Sequence, residues 1–450
     1  MSLRLCAKYG VMLETATPLS RQDRPLLLHA AYRNARWLIV AWLTVSTILN
    51  LIDRQTLSIL APFLRDKFSL SQQSYSHVVT AFLISYTVMY AVGGRIVDRV
   101  GERIAMTACI LWWSVWTMLT SLAQGAWSLG GIRFLLGIGE PVNYPAALRA
   151  TTRWFPKAER GLPIAIFSSG SAVGNVIAPP LVAGLTLAFG WRSAFILPGA
   201  LGLLWAVVWL WMYRVPQEYP QISPEELAGL EGGNAAAGNV AAPQRWVDLL
   251  KERNVLALVL ARLVSDPVWY FYLFWIPEYL KRERGFSLAD IGLYAWMPFV
   301  AGALGGIAGG MASDKLIHMG LKPAWARTRV LYVSAAIAPL GMLTGKAHSA
   351  SLAIVLIAVM AFVVYSWFIN TAALIPDLFS EKVVGSVLGL MGTAGSGGAV
   401  LFSTLVGFLL THYSYTVVFA LAGSMHLAAS LILWSLLRQE NPKKAEAQCG

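Results

Sequence analysis

The chain has 450 residues, 57 % of them apolar and 13 % charged, and its mean hydropathy is +0.59. Soluble domains carry about 25 % charged residues, so a soluble enzyme, a disordered scaffold and a disulfide-stapled secreted domain are excluded, and the chain reads as a polytopic membrane protein. A net charge of +12 and a pI near 9.7 would point a soluble protein toward nucleic acid; in a membrane protein Lys and Arg gather on the cytoplasmic side, and no nucleic-acid partner is expected.

In chain order, residues 1–35 are a polar, basic cytoplasmic tail without the apolar core of a signal peptide. Twelve apolar segments follow, at about 36–60, 75–97, 103–123, 127–150, 161–188, 192–213, 254–280, 287–311, 327–346, 350–375, 383–411 and 414–437. All are long enough for membrane helices, and no alternating strand pattern supports a barrel. The expected fold class is an all-α membrane protein, with 12 transmembrane helices in two six-helix halves, 36–213 and 254–437. Between them, residues 214–253 form a cytoplasmic linker containing the Gly/Ala/Asn-rich run EGGNAAAGNVAAPQ, a flexible composition. Residues 438–450 are a cytoplasmic tail. With both termini inside, 25 of the 35 basic residues fall in inner segments and seven in outer loops, the bias that sets orientation in an inner (plasma) membrane. Cys6, Cys109 and Cys449 lack metal-ligand spacing, so no metal or cofactor is expected.

The halves echo each other. Gly94-Arg-Ile-Val-Asp98-Arg99-Val-Gly101-Glu-Arg103 follows the second span, and Gly310-Met-Ala-Ser-Asp314-Lys315 follows the eighth. Trp154-Phe-Pro-Lys-Ala-Glu-Arg-Gly161 precedes the fifth span and Leu378-Phe-Ser-Glu-Lys-Val-Val-Gly385 the eleventh. Such duplication suits a transporter whose site lies between its halves near mid-membrane.

The G-x-x-x-D-x-x-G-x-R loop and its echo resemble the signature of the major facilitator superfamily. Four stretches resemble its anion:cation symporter branch, hexuronate transporters above all: Asn50-Leu-Ile-Asp53-Arg54, Arg133-Phe-Leu-Leu-Gly-Ile-Gly-Glu140, Trp154-Phe-Pro with Glu159-Arg160, and Asp266-Pro-Val-Trp269-Tyr-Phe-Tyr-Leu-Phe-Trp275-Ile-Pro277. Relatives often carry Tyr where this chain has Leu51. Hexuronate members carry His and Gln where it has Val364 and Tyr365, just before Trp367 and Asn370.

Three arginines, Arg54, Arg133 and Arg262, fall inside spans beside three acids, Asp53, Glu140 and Asp266. A charge at mid-bilayer costs at least about 2.5–3.5 kcal/mol on insertion scales, so each needs a partner or a function. Asp53 and Arg54 point about 100° apart on a helix and must meet different neighbours. Asp53 is expected to take a proton and Arg54 to grip a substrate carboxylate, which Arg binds bidentately; an interhelical ion pair is the structural alternative. Arg133 and Glu140, seven apart, lie two turns apart on one helix face, about 10 Å along the axis. Substrate arriving at the arginine would loosen its hold on the carboxylate and favour protonation, and the resemblance implies that Glu140 couples protons while Arg133 helps bind or gate. Arg262 and Asp266, four apart, read as a self-neutralising pair before Pro267.

Trp269 and Tyr272, among the aromatic residues after Pro267, suit the apolar faces and hydroxyls of a sugar acid. Tyr86, Trp367 and Asn370 are further expected substrate ligands. The resemblance implies that Gly94, Asp98, Arg99, Gly101, Arg103 and Asp314 form a conformational gate that latches the halves in an outward-open state. Gly170-x-x-x-Gly174, Gly302-x-x-x-Gly306-x-x-x-Gly310 and Gly385-x-x-x-Gly389 are expected at close helix crossings. Gly137-Ile-Gly139 lacks the third glycine of a dinucleotide fingerprint, and no Walker A motif appears. The expectation is a monomeric, bacterial-type carrier of a small organic monocarboxylate, a hexuronate or related sugar acid, taken up with protons across the lipid bilayer. An exporter or exchanger of aromatic or dicarboxylic acids and a transporter-like membrane sensor are the alternatives.

Overall fold

The computed structural model describes residues 23–156, 159–218, 222, 227, 230, 246–379 and 381–438. Most of the expected linker and of both tails, with Cys6 and Cys449, lies outside the described residues. The described chain is all-α and crosses the membrane twelve times. Seven crossings precede or include the long seventh span: Asp23–Lys67, Gln72–Val100, Glu102–Thr120, a fourth that starts as Ala126–Gly139, then Gly161–Phe189, Ser193–Met212 and Arg253–Arg284. Ala350–Leu378, Glu381–His412 and Tyr415–Leu436 are the last three.

Three crossings are interrupted. The fourth continues through a 3-10 turn, Glu140–Val142, into Asn143–Trp154. The eighth breaks between Leu288–Tyr294 and Met297–His318, ahead of Pro298. The ninth passes from Pro323–Ile337 into the 3-10 segment Ala338–Lys346, which has Pro339 in its first turn. Proline removes a helix donor and crowds the preceding turn, so the breaks fall at Pro141, Pro298 and Pro339. Nine described helices are long and apolar enough to span by themselves; the short third and the divided fourth and ninth complete the twelve.

Local chemistry fixes the ends. Ser71 caps the second span by accepting from Ser74 N, and Ser287 and Asp290 cap each other's backbone at the eighth. Gly101 (φ +81°) makes the turn that sends the chain into the third span, a conformation open to glycine without strain. In the first half Trp42, Trp205, Trp209 and Tyr213 stack in a column with ring separations of 6.0, 5.2 and 4.2 Å. The column ends where the Tyr213 hydroxyl donates to Glu102 Oε1 at 2.7 Å, tying the first, third and sixth spans together.

Glycines permit the closest crossings. Gly170 and Gly174 face the backbone of Thr44 and Ile48 on the first span, and Gly302 faces the Tyr365 ring. Gly305 and Gly309 sit tighter still, against the Phe362 carbonyl and Ser366. Gly385 has no neighbour within 4 Å and Gly389 meets only Trp246 at 3.8 Å, so this third expected crossing is open. Gly305→Ala is therefore expected to cost about 1–3 kcal/mol by overpacking and to lower the thermal midpoint of the detergent-solubilised protein. Gly385→Ala, in open space and with better helix propensity, is expected to leave the midpoint unchanged or raise it; equal midpoints for the two variants would contradict this packing.

The halves are clamped at the end of the molecule that carries the loops after the first and seventh spans. There Arg65 pairs with Glu278 and Arg282 with Asp66 across the interface, while Arg282 also reaches Glu278 at 3.1 Å. Ser58 donates to the Leu273 carbonyl at 2.6 Å, Tyr75 to that of Phe274 at 2.8 Å and Ser76 to that of Ser403 at 2.7 Å. Among the described residues no such interhalf bond joins the opposite end.

Candidate substrate and coupling site

The first span presents Ser46, Thr47, Asn50 and Arg54 at helical spacing to the fourth. Ser46 donates to Asn143 Oδ1 at 3.1 Å, and Arg54 Nη2 donates to Asn50 Oδ1 at 3.1 Å. Arg54 Nε donates to Glu140 Oε2 at 2.8 Å, a charge-assisted bond across the two helices. The guanidinium lies over the Tyr86 ring, 4.7 Å from its centroid, within cation–π range. Arg133 is buried below the same group: its Nη2 reaches the Arg54 carbonyl at 3.4 Å and its guanidinium lies 5.9 Å from the Phe82 centroid.

Glu140 thus pairs with the first span rather than with Arg133, as its seven-residue spacing suggested. The reason is distance: residues seven apart on a helix stand about 10 Å apart along its axis, whereas Arg54 of the first span reaches Glu140 directly and Arg133 stays in electrostatic range.

Asp53 points the other way, as the angle between neighbours requires. It is fully buried, and neither carboxylate oxygen has a partner at bonding distance. Trp113 and Thr117 of the third span are the polar groups beside it, with Glu140 and Arg133 in electrostatic range. Glu140 Oε1, Arg133 Nε, Trp113 Nε1 and Thr117 Oγ1 are also without bonded partners. Buried polar atoms are normally satisfied, and an unpaired charge in a dry interior costs far more than a neutral acid. Five buried polar side chains thus stand together with atoms that no bond satisfies.

The second half contributes aromatics. Trp269 stands edge-on to Tyr365 at 4.8 Å and to Phe299 at 5.8 Å. With Tyr272 and Gln55 it lines a small cleft between the halves. Gln55 Nε2 donates to Asn175 Oδ1 at 2.5 Å, and Asn175 Nδ2 reaches the Tyr365 hydroxyl at 3.5 Å. This polar bridge joins the halves at mid-membrane, and only Tyr365 of its three members stood out in the sequence. Gln55 had a signal, its place beside Arg54 in an apolar helix; Asn175 had one in its polarity among apolar neighbours.

Two further expected ligands bond within their own half. Trp367 is 1 % exposed, donates to Ser265 Oγ at 3.0 Å and stands edge-on to His426. Asn370 is wholly buried and donates to the Ser366 carbonyl at 2.9 Å. Trp367 packs in the second half's core cluster, while Asn370 Oδ1 has no bonded partner. The gate residues are also placed within their own halves. Exposed Asp98 accepts from Arg149 at 3.0 Å, and Arg149 and Arg153 each approach the buried Glu102 carboxylate at 3.2 Å. Arg103 donates to the Leu210 carbonyl at 2.5 Å, Arg99 is exposed, and Gly94 and Gly101 have no neighbour within 4 Å. In the echo, Asp314 accepts from Arg327 at 2.7 Å. The centre of the first cluster, Glu102, is the feature that sequence reading passed over.

The profile of the Major Facilitator Superfamily matches this sequence over residues 43–398 and again over 324–448. The chain belongs to the major facilitator superfamily. Its relatives within the superfamily are transporters rather than enzymes. It is 30 % identical to the hexuronate transporter of Escherichia coli K12 over 412 residues, covering 91 % of this chain and 95 % of the relative. It is likewise 30 % identical to a probable galactarate/D-glucarate transporter of Bacillus subtilis, covering 84 % and 86 %. The superfamily fold is evident in three dimensions as well: the inward open structure of the E. coli xylose transporter XylE superposes with a TM-score of 0.71 at 15 % identity, covering 91 % of this chain and 98 % of XylE.

Proposed function

We propose that this superfamily member takes up a sugar acid, a hexuronate or close relative, together with protons by alternating access, with both termini cytoplasmic. One observation carries the reading: Arg54, over an aromatic ring at the interface of the halves, is held by a single oxygen of the buried Glu140. A substrate carboxylate competes with Glu140 for that guanidinium. Glu140, once released, is a buried charge without a partner, and a proton removes the cost of that charge. Substrate binding and protonation thereby favour each other. Asp53, already without a bonded cation, holds a proton that Arg133 can displace.

With the termini inside, the clamped end faces outward, and this conformation corresponds to the inward-facing stage. From the outward-facing stage, Asp53 and Glu140 load protons and Arg54 takes the carboxylate; inside, proton loss lets Glu140 reclaim Arg54 and eject the substrate. Each charge moved through 100 mV supplies about 2.3 kcal/mol.

The test is uptake of galacturonate and glucuronate into proteoliposomes under an imposed inward pH gradient. Wild type is expected to accumulate one of them against its own gradient. Asp53→Asn and Glu140→Gln are expected to lose proton-driven accumulation while retaining exchange of internal for external substrate. Accumulation at the wild-type level by both variants would remove these two acids from proton coupling.

A further inference from the structure

The clamped end holds an arginine whose only described acid partner belongs to the other half. Arg65 of the first span donates to Glu278 Oε1 of the seventh. The same oxygen accepts from Arg282 Nε at 3.1 Å, while Glu278 Oε2, fully buried, has no partner. The Tyr415 hydroxyl of the twelfth span is also buried without a partner, in electrostatic range of Glu278 and Arg65. Buried polar atoms are normally satisfied, and here a carboxylate oxygen and a hydroxyl beside two arginines are not.

Arg65 is placed independently of that acid. Its Nε donates to the Leu70 carbonyl at 3.2 Å, in the loop that follows its own helix, so the guanidinium keeps its position when Glu278 leaves with the other half. Asp66, the next residue, points about 100° away on the helix and pairs with Arg282 instead. Separation of the halves therefore strips Arg65 of Glu278 and Arg282 of Asp66, while Arg282 retains Glu278, four residues back on its helix. Both rims of the seam then carry charge of one sign. Arg65, Asp66 and Lys67 sum to +1 on the first span; Glu278, Lys281, Arg282, Glu283 and Arg284 sum to +1 on the seventh. A cleft lined by one sign of charge concentrates the opposite ion. Access is graded too: the Arg282 side chain is 37 % exposed and that of Arg65 8 %, so an anion from solvent meets Arg282 first.

Resting on the reading of the cargo as an organic anion, we propose that Arg65 is an entry site for its carboxylate. A carboxylate met first by Arg282 displaces Glu278 from Arg65, and this exchange opens the clamp. Arg65 gains a ligand that offers two oxygens in place of one, the stronger geometry for a guanidinium. Glu278 keeps Arg282, so the exchange leaves no buried charge alone. The entry site lies at the rim, apart from Arg54, and the cargo passes from one arginine to the other.

The experiment removes the deeper site and watches the rim. The full-length chain with Arg54→Ala/Glu140→Gln carries a reporter, Ile59→Cys, in the interface cleft, in a background lacking Cys6, Cys109 and Cys449. It is labelled in membrane vesicles from the clamped side by an uncharged, impermeant polyethylene-glycol maleimide, with thermal midpoints confirming that each variant folds. Galacturonate is expected to raise the labelling rate at least threefold and saturably, while chloride at the same ionic strength leaves it unchanged. Further substitution by Arg65→Gln/Glu278→Gln, which breaks the clamp and keeps it neutral, is expected to remove the response whatever the basal rate. Arg65→Lys keeps the charge without the planar fork and is expected to need at least fivefold more galacturonate for the same response. A merely structural clamp shows no response to galacturonate, and that result overturns the entry site. So does an equal response to chloride, or a response that survives undiminished in the Arg65 variants. Wild type that accumulates galacturonate while the reporter chain stays silent loses the entry site alone; wild type that accumulates neither galacturonate nor glucuronate overturns the uptake reading itself.

Discussion

Arg54→Ala is expected to abolish sugar-acid accumulation, with a loss of at least about 100-fold. Two effects add. The substrate loses its carboxylate ligand, and Glu140, whose exposure is only 1 %, is left as a buried charge without its cation. Breaking such a pair by removing one partner costs about 3–5 kcal/mol, roughly two to three and a half decades in an equilibrium constant at about 1.4 kcal/mol each. Arg54→Lys keeps the charge but not the planar fork that meets a carboxylate with two bonds, so it is expected to rescue folding far better than transport. The double variant Arg54→Ala/Glu140→Gln separates the two effects: its thermal midpoint should recover while uptake stays absent. Wild-type uptake by Arg54→Lys would remove Arg54 from substrate binding.

The second large effect is expected at the clamped end. Glu278 is fully buried and pairs with Arg65 of the first span and with Arg282 of its own, which pairs with Asp66. Tyr75 and Tyr415 face the same carboxylate. Glu278→Ala leaves Arg65, itself only 8 % exposed, without a counter-ion, a cost of about 3–5 kcal/mol. That cost falls on the clamped conformation alone, because separation of the halves hydrates the arginine. The population then shifts toward opening at this end by the same free energy. A reporter cysteine at Ile59, which lines the interface cleft, reads the shift in a background lacking Cys6, Cys109 and Cys449. Labelling by a membrane-impermeant maleimide from the clamped side should rise at least tenfold with Glu278→Ala. Unchanged labelling would mean that the apolar contacts and backbone-directed bonds of Ser58, Tyr75 and Ser76 hold this end unaided.

The apolar runs made the twelve crossings legible, because the length of a spanning helix is set by the bilayer rather than by tertiary context. Their interruptions were less so: Pro141 and Pro339 lie inside the stretches 127–150 and 327–346, each of which reads as one span. Buried Arg and acid residues announced themselves, but the partner of Glu140 comes from the first span, which no window on the fourth contains. Trp367 and Asn370 show the reverse case, in which a resemblance supplies residue types and only the rotation of the tenth span decides whether they face the substrate path or the core. Glu278 was missed because it follows Pro277 at the end of a span, where a charge ordinarily reaches water. Its burial comes from the opposing half, which no local window contains.

Among the described residues, the three arginines of the central region are matched by Asp53, Glu140 and Asp266, three for three. The electrical consequence is that the unloaded, fully ionised carrier has no net charge in this part of the membrane field. In the proposed cycle its return stroke would then be insensitive to voltage, and every elementary charge that crosses would belong to the cargo. Under the proposed proton coupling, current measured across a bilayer would count protons minus substrate charges: one proton per monoanion would be silent, and a second proton would bring the whole cycle under the membrane potential.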